Sequence, residues 1–133
     1  MSLSELGGRV GLSPSAAGRR LARLEREGAI AGYAAIVDPA ALGWDTEAFI
    51  ELTCEGRLPL GDIRAALLPL PEVLDAWTVS GEADAIVHVR ARDMQHLEQV
   101  IERLHANPVV ARTKTSIVLS PLLQRERRGA TTR

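Results

Sequence analysis

The sequence predicts an α+β chain in which a helix-turn-helix with a small wing precedes a ferredoxin-like β-α-β-β-α-β domain. Three observations carry that prediction. Residues 12–28, LSPSAAGRRLARLEREG, have the start signal, periodicity and glycine stop of one amphipathic helix. From residue 47 the apolar period switches between 2 and 3.6 in the order strand, helix, strand, strand, helix, strand. The intervening DPAALGWD breaks both periods with Pro39 and Gly43, as a linker does.

Taken in order, Leu3, Leu6 and Val10 are spaced i, i+3 and i+7. They predict a helix over 3–10, capped by Ser2 or Ser4 and ended at Gly11. In the next helix Ser13 is a good N-cap and Pro14 fits the first helical position, where no N–H is needed. Gly28 fits the left-handed residue that closes it. Ala17, Leu21 and Leu24 form its apolar stripe, and Ser15, Arg19, Arg20, Arg23 and Arg26 lie mostly off it. A buried stripe opposite arginines suits a helix that enters the DNA major groove, while the helix before it crosses the phosphate backbone. The same pattern also fits a plain helical hairpin with a solvated basic face.

After Gly28, Ile30, Ala34 and Ile36 alternate loosely and predict a small hairpin or wing ending at Asp38-Pro39. Trp44, in the linker, is read as packing or as an anchor. EAFIELTCE predicts a strand, PLGDIRAALLPL a helix, and VLDAWTV and AIVHVRA two strands joined by the turn SGEAD. Asp93 caps a helix whose Leu97, Val100, Ile101 and Leu104 share one face and which stops near Asn107-Pro108. In VVARTKTSIVL, Ala111, Thr113, Thr115 and Ile117 alternate against Val110, Arg112, Lys114 and Ser116. With both helices on one side of the sheet, the other face stays open, which predicts self-association. The expected divisions are 1–38 for helix-turn-helix and wing, 39–46 for the linker, 47–121 for the sheet domain and 122–133 for a mobile tail.

Composition excludes several function classes. The 133 residues are 46% hydrophobic and 25% charged, an ordinary globular balance rather than a disordered or fibrous one. The single cysteine, Cys54, excludes an intramolecular disulfide framework, and its alternation with Ile50 and Leu52 makes it core. No apolar run reaches the length of a membrane span, and MSLSELGGRV lacks the basic and apolar regions of a signal peptide. The cytoplasm is the expected location. Charge is uneven: residues 1–37 hold five Arg against three Glu, 38–124 seven Lys or Arg against thirteen Asp or Glu, and 125–133 four Arg against one Glu. Basic ends around an acidic middle suit a DNA-facing module joined to a module with another task.

LSPSAAGRRLARLEREGAIAGYAAIVDPAALG resembles the helix-turn-helix and wing of the leucine-responsive and asparagine-responsive regulators, the Lrp/AsnC family. PEVLDAWTVSGEADAIVHVRARD and NPVVARTKTSIVL resemble that family's effector-sensing domain. The resemblance implies a sequence-specific DNA-binding transcription regulator that dimerises through its sheet domain, often assembles as an octamer, and binds an amino acid or related metabolite between sheet domains. It implies double-stranded DNA as a partner and no cofactor or metal.

The chain departs from the family pattern in three places. Members usually begin with one more helix, so either the start at Met1 is late or the DNA-binding domain is truncated, with Leu3, Leu6, Leu21 and Leu24 short of a packing partner. That loss would amount to several kcal/mol at about 25 cal/mol per Å² of apolar surface. Gly18 sits inside the reading helix at about 1 kcal/mol relative to Ala. Small residues stand at Ala83 and Ala85, where members often carry an aromatic nearby, which either enlarges the effector pocket or leaves none.

Residue roles follow from helix position and turn chemistry. Ser15, Ala16, Arg19 and Arg20 occupy the first turns of the reading helix, where side chains reach base edges; Ser13 starts that helix, and Arg23 is placed for a phosphate. Gly81, Glu82, Ala83 and Asp84 form a glycine turn whose N–H groups can hold a carboxylate while Asp84 meets an amino group. The bland reading of Asp84 is a cap on its own turn. By resemblance, the opposite wall comes from a neighbouring subunit near Ala111, Thr113 and Thr115. Two other readings stand beside the regulator: an effector-sensing or assembly protein that has lost DNA binding, and a siroheme-decarboxylase-like enzyme. His88, His96 and His105 give the enzyme little support, since their spacing is no metal-ligand pattern and no nucleophile motif accompanies them, so an enzyme is not expected.

Overall fold

The computed structural model describes residues 1–57 and 60–124. The described residues fall into two compact units that divide after Ile36. The last nine residues of the expected tail, 125–133, lie outside the described residues. No helix among the described residues is long and apolar enough to cross a membrane.

The first unit consists of helices α1 (Leu3–Val10) and α2 (Pro14–Arg26). Ser2 caps α1 in a capping box: its hydroxyl accepts the Glu5 N–H at 3.2 Å, and the Glu5 carboxylate accepts the Ser2 N–H at 2.6 Å. These bonds hold the Glu5 carboxyl below its ordinary pKa. Gly11, at φ +70°, ends α1 in the left-handed conformation, and Ser13 caps α2 through the Ala16 N–H at 3.2 Å. Gly7 is buried where α1 meets the turn; a Cβ there would come within 2.5 Å of the Leu12 carbonyl oxygen. A Cβ on Gly18 would lie 3.3 Å from Leu3 Cδ1, the end of an exposed side chain that can give way.

The stretch expected to form a hairpin or wing takes no strand conformation. Ile30 N–H instead closes the end of α2 by donating to Leu24 O at 3.1 Å, and the Tyr33 hydroxyl donates to the Glu25 carboxylate. Ala34 and Ile36 are exposed and find no strand partner. Alternation without a buried face to receive it does not make a strand.

The second unit has the expected β-α-β-β-α-β order: β1 (Thr46–Cys54), α3 (Leu60–Leu67), β2 (Val73–Thr78), β3 (Ala85–Ala91), α4 (Met94–His105) and β4 (Val110–Ile117). The strands form one antiparallel sheet in the order β2-β3-β1-β4. Ala48, Ile50, Leu52 and Cys54 of β1 and Ala85, Val87, Val89 and Ala91 of β3 turn one face inward. Ile63 and Leu67 of α3 and Leu97, Val100 and Leu104 of α4 complete that core. Burial and the nearby Asp84 charge raise the Cys54 thiol pKa, consistent with a packed core cysteine.

The segment expected as a free linker belongs to this unit. Asp38 caps a short 3-10 helix, Pro39–Leu42, which Gly43 ends in the left-handed conformation, and the Trp44 ring stands 6.0 Å from the His96 ring. Two irregularities alter the strand alternation. In β2, Val73 opposes Val89 and Asp75 opposes His88, so Leu74 is extra. In β4, Val110 opposes Cys54 and Arg112 opposes Thr53, so Ala111 is the extra residue and Val110 turns inward.

Candidate nucleic-acid interface and effector groove

On α2 the spacing i, i+4, i+8 and i+11 puts Ser15, Arg19, Arg23 and Arg26 in one row, flanked by the row of Ala16 and Arg20. Ala17, on the opposite side, is buried, whereas Arg19, Arg20 and Arg23 are exposed. The inward stripe is thinner than expected: Leu21 is only half-buried, and Leu24 retains 38% of its surface. Ser13 uses its hydroxyl on the cap and on a 3.3 Å contact with Ser15 Oγ. Arg23 Nε donates to Glu27 Oε1 at 2.7 Å in an exposed i, i+4 pair, so phosphate would compete with that carboxylate. Arg19 and Arg20 have no such pair among the described residues.

In the second unit the helix-free face carries Asp75 and Trp77 on β2, Ile86, His88 and Arg90 on β3, Glu47, Phe49, Glu51 and Thr53 on β1, and Arg112, Lys114 and Ser116 on β4. His88 stacks on Phe49 with ring centroids 4.6 Å apart and pairs with Glu47 at 2.5 Å. Trp77 and Phe49 stay half and more than a third exposed, so this face is amphipathic rather than wholly polar.

The turn after β2 stands at one end of this face. Two open grooves meet there on Glu51, Glu82 and Ala83; one of about 380 Å³ is completed by Thr53, Arg112, Thr113 and Lys114. Basic and acidic side chains therefore line the same groove, with Lys114 Nζ 3.7 Å from Glu51 Oε2. Gly81, at φ +128°, is in a conformation that disfavours any side chain. Asp84 is tied into the sheet: its Oδ2 accepts the Cys54 N–H at 2.8 Å and its own N–H donates to Leu52 O at 2.9 Å.

Of the residues singled out from the sequence, the structure brings Glu82, Ala83 and Thr113 to the groove. Thr115 opposes the buried Ile50 and faces the helix side, as does the Thr113 side chain, whose hydroxyl meets His105 Nε2 at 2.6 Å. Ala111 is the bulge residue and does not line the groove. Glu51, Thr53, Arg112 and Lys114 were missed, since they sit on the strand face opposite to the one singled out. The open face was a sequence signal for them, but the bulge that aligns Arg112 with Thr53 was not.

Comparison with known proteins supports both halves. The family model of the Lrp/AsnC ligand binding domain matches residues 47–127, and that of a winged helix-turn-helix DNA-binding domain matches residues 1–31. The HTH-type transcriptional regulator Rv2324 of Mycobacterium tuberculosis is 44% identical over 124 residues, covering 93% of this chain and 84% of the relative. The leucine-responsive regulatory protein of Escherichia coli K12 is 34% identical over 126 residues, covering 92% of this chain and 77% of the relative. Among solved structures, the transcriptional regulator NMB0573 of Neisseria meningitidis in complex with L-Met superposes with a TM-score of 0.84 at 30% identity, covering 95% of this chain and 83% of that one. The feast or famine regulatory protein of M. tuberculosis complexed with L-methionine gives 0.77 at 34% identity, covering 96% and 86%. A helix with an exposed row of arginines in one unit, a charged groove beside a glycine turn in the other, and matches spanning nearly the whole chain lead to one conclusion: the chain belongs to the Lrp/AsnC family of transcriptional regulators.

Proposed function

We propose that this regulator reads double-stranded DNA through α2 and changes its DNA binding when an amino acid or closely related metabolite enters the groove beside residues 81–84. The carrying observation is the groove itself, which puts Arg112 and Lys114 opposite Glu51 and Glu82 within reach of one small zwitterion. In this reading Arg19 and Arg20 contact base edges, with Ser15 and Ala16 beside them, Arg23 neutralises a phosphate, and Ser13 fixes the helix start. Gly81 lets the turn present backbone N–H groups to the ligand carboxylate. Asp84 positions the turn through Cys54 N–H and keeps acceptor capacity for an ammonium group. Ala111, Thr113 and Thr115 mark the edge-strand segment that a neighbouring subunit offers as the opposite wall, through its exposed strand edge rather than the Thr113 and Thr115 side chains, which face the helix side.

The same reading assigns residues 1–38 to DNA, 39–46 to connection and 47–121 to sensing and assembly in a cytoplasmic protein. The amphipathic open face pairs two copies through Phe49 on the inner strand β1 and Trp77 on the edge strand β2, with charges of both signs around them; an octamer of four such dimers is the larger assembly. Catalysis is not part of this reading, because the convergent charge of the groove suits binding and His105 is engaged with Thr113. The two amino-acid complexes among its structural neighbours support the ligand class.

The test is a thermal-shift screen of the twenty amino acids on the full chain and on Ala83→Trp, followed by titration of the upstream DNA of its own gene with and without the best hit. The reading expects a stabilising amino acid, loss of that shift in Ala83→Trp, and altered DNA affinity when the ligand is present. A screen with no stabilised hit rejects the sensor role.

A further inference from the structure

Apart from the groove at residues 81–84, an apolar groove of about 500 Å³ runs between α3 and the edge strand β2. Leu60, Ile63 and Leu67 form its helix side, and Leu74, Ala76 and Thr78 its strand side. Ala76 and Thr78 oppose the buried Val87 and Ala85 and so point to the helix layer, yet they are exposed, so the helix layer leaves β2 uncovered. An edge strand with an open apolar flank invites another segment.

A segment of matching chemistry stands at the other edge of the sheet. From Thr115 to Gln124 the chain carries no charge, and after β4 Leu119 keeps 93% of its surface exposed, Leu123 73% and Leu122 all of it. The Val118 N–H donates to Glu47 O at 2.9 Å, so this tail leaves the sheet at a fixed point beside the start of β1. Its own groove lies three strand spacings away, about 14 Å, across the open face. That face is the one proposed above to pair two copies.

Charge decides how two such faces meet. From one edge to the other the open face carries Asp75 on β2, Arg90 on β3, Glu47 and Glu51 on β1, and Arg112 and Lys114 on β4. The sign alternates strand by strand. A twofold axis along the strands lays β4 over the partner's β2 and β1 over its β3, so each acidic strand faces a basic one. An axis across the strands lays each strand over its own counterpart, like charge over like. In the first arrangement the tail meets the groove: Ile117 lies in one cross-sheet row with Ala48, Val89 and Val73, so the tail of one copy leaves β4 over the start of the partner's β2, where the groove begins. The gap between packed sheets is about 10 Å, and residues 118–122 span about 16 Å when extended.

We infer that the tail of one copy, residues 118–124, docks in the α3–β2 groove of a second copy, with Leu122 and Leu123 seated against Ala76, Thr78 and Leu60. The inference rests on the pairing of the open faces and is independent of the ligand groove.

The experiment co-expresses two full chains of different tag length, one carrying Leu122→Cys and the other Ala76→Cys, and treats the purified assembly with a short bismaleimide; the native Cys54 is buried. Light scattering gives the oligomeric state. A link between the two chains is expected, and none when Glu98→Cys, exposed on α4, replaces Ala76→Cys. Leu122→Asp, at a position fully exposed within one copy, is expected to weaken pairing at least tenfold in a dilution series. A monomer in solution overturns the pairing and this inference together. A dimer with no link between positions 122 and 76, with an equal link to position 98, or with unchanged affinity in Leu122→Asp overturns the tail docking and leaves the pairing standing. So does a link found only within a chain carrying both substitutions, since the tail then covers its own groove.

Discussion

The two units are stabilised in different ways. The sheet unit surrounds seven side chains that are less than 2% exposed, Ile50, Leu52, Leu97, Leu104, Val87, Val89 and Val100. In the helix-turn-helix unit only Ala17 and Gly7 are buried, and its order rests on end-capping, left-handed glycines and a close approach at Gly7. A unit held by local signals is easy to recognise and marginal in stability; a unit held by burial is sturdy, but its sites depend on long-range register.

That difference sets the order of expected mutational effects. The largest belongs to the core of the sheet unit: Leu97→Ala or Ile50→Ala should cost about 2–5 kcal/mol in urea unfolding. Leu21→Ala, half-buried in the other unit, should cost clearly less. Equal losses would refute the contrast. Next come Arg19, Arg20 and Arg23, the arginines proposed to contact DNA. Arg19→Ala or Arg20→Ala should weaken binding to the preferred DNA by about 1–3 kcal/mol and relax preference at one base pair, whereas Arg23→Ala should weaken all sequences alike and lower the salt slope by about 1. Competition titrations on matched and scrambled duplexes distinguish the two patterns.

Most elements with local causes are legible in the sequence; the exception is the 3-10 helix Pro39–Leu42, capped by Asp38 and ended by Gly43, which reads only as a linker. Ser2, Ser13 and Asp93 cap their helices as expected, and Gly11, Gly28 and Gly43 take positive φ at element ends. The β-α-β-β-α-β order followed from period changes alone. What escaped was set by partners distant in sequence. Arg112 and Lys114 lie on the β4 face opposite to the one singled out, and the bulge at Ala111 turns Val110 inward where a period-2 pattern cannot show that an extra residue enters. The wing was expected from alternation that has no sheet to join. His96 is weighed in the sequence only with His88 and His105 as an enzyme group, whereas its partner Glu72 lies 24 positions away in a turn that carries no motif.

Smaller effects sharpen the comparison further. Ser13→Ala should lower the stability of the helix unit by about 1 kcal/mol, seen as an earlier loss of helical signal on heating. Buried Glu72, which accepts from Arg103 and His96, gives the sheet unit an acid sensitivity beside that of the fully exposed Glu5 in the helix unit. Its pKa is lower in the folded than in the unfolded state, so its contribution is fully present above the unfolded value of about 4.3 and is lost as pH falls through the folded value. Urea midpoints between pH 6 and pH 3 should therefore fall in the parent more steeply than in Glu72→Gln. The smallest effect is a gain: Gly18→Ala should stabilise α2 by somewhat under 1 kcal/mol, because its 3.3 Å contact is the end of a partly exposed Leu3 side chain that can move aside.

The measurement that bears most directly on the assignment of DNA reading to α2 is the affinity of the full chain for its own upstream DNA across a salt series, beside Arg19→Ala. The account predicts affinity that falls steeply with salt, a preference over scrambled duplex, and loss of that preference in Arg19→Ala. Binding that is independent of salt, or a sequence preference that survives the substitution of both Arg19 and Arg20, would contradict it.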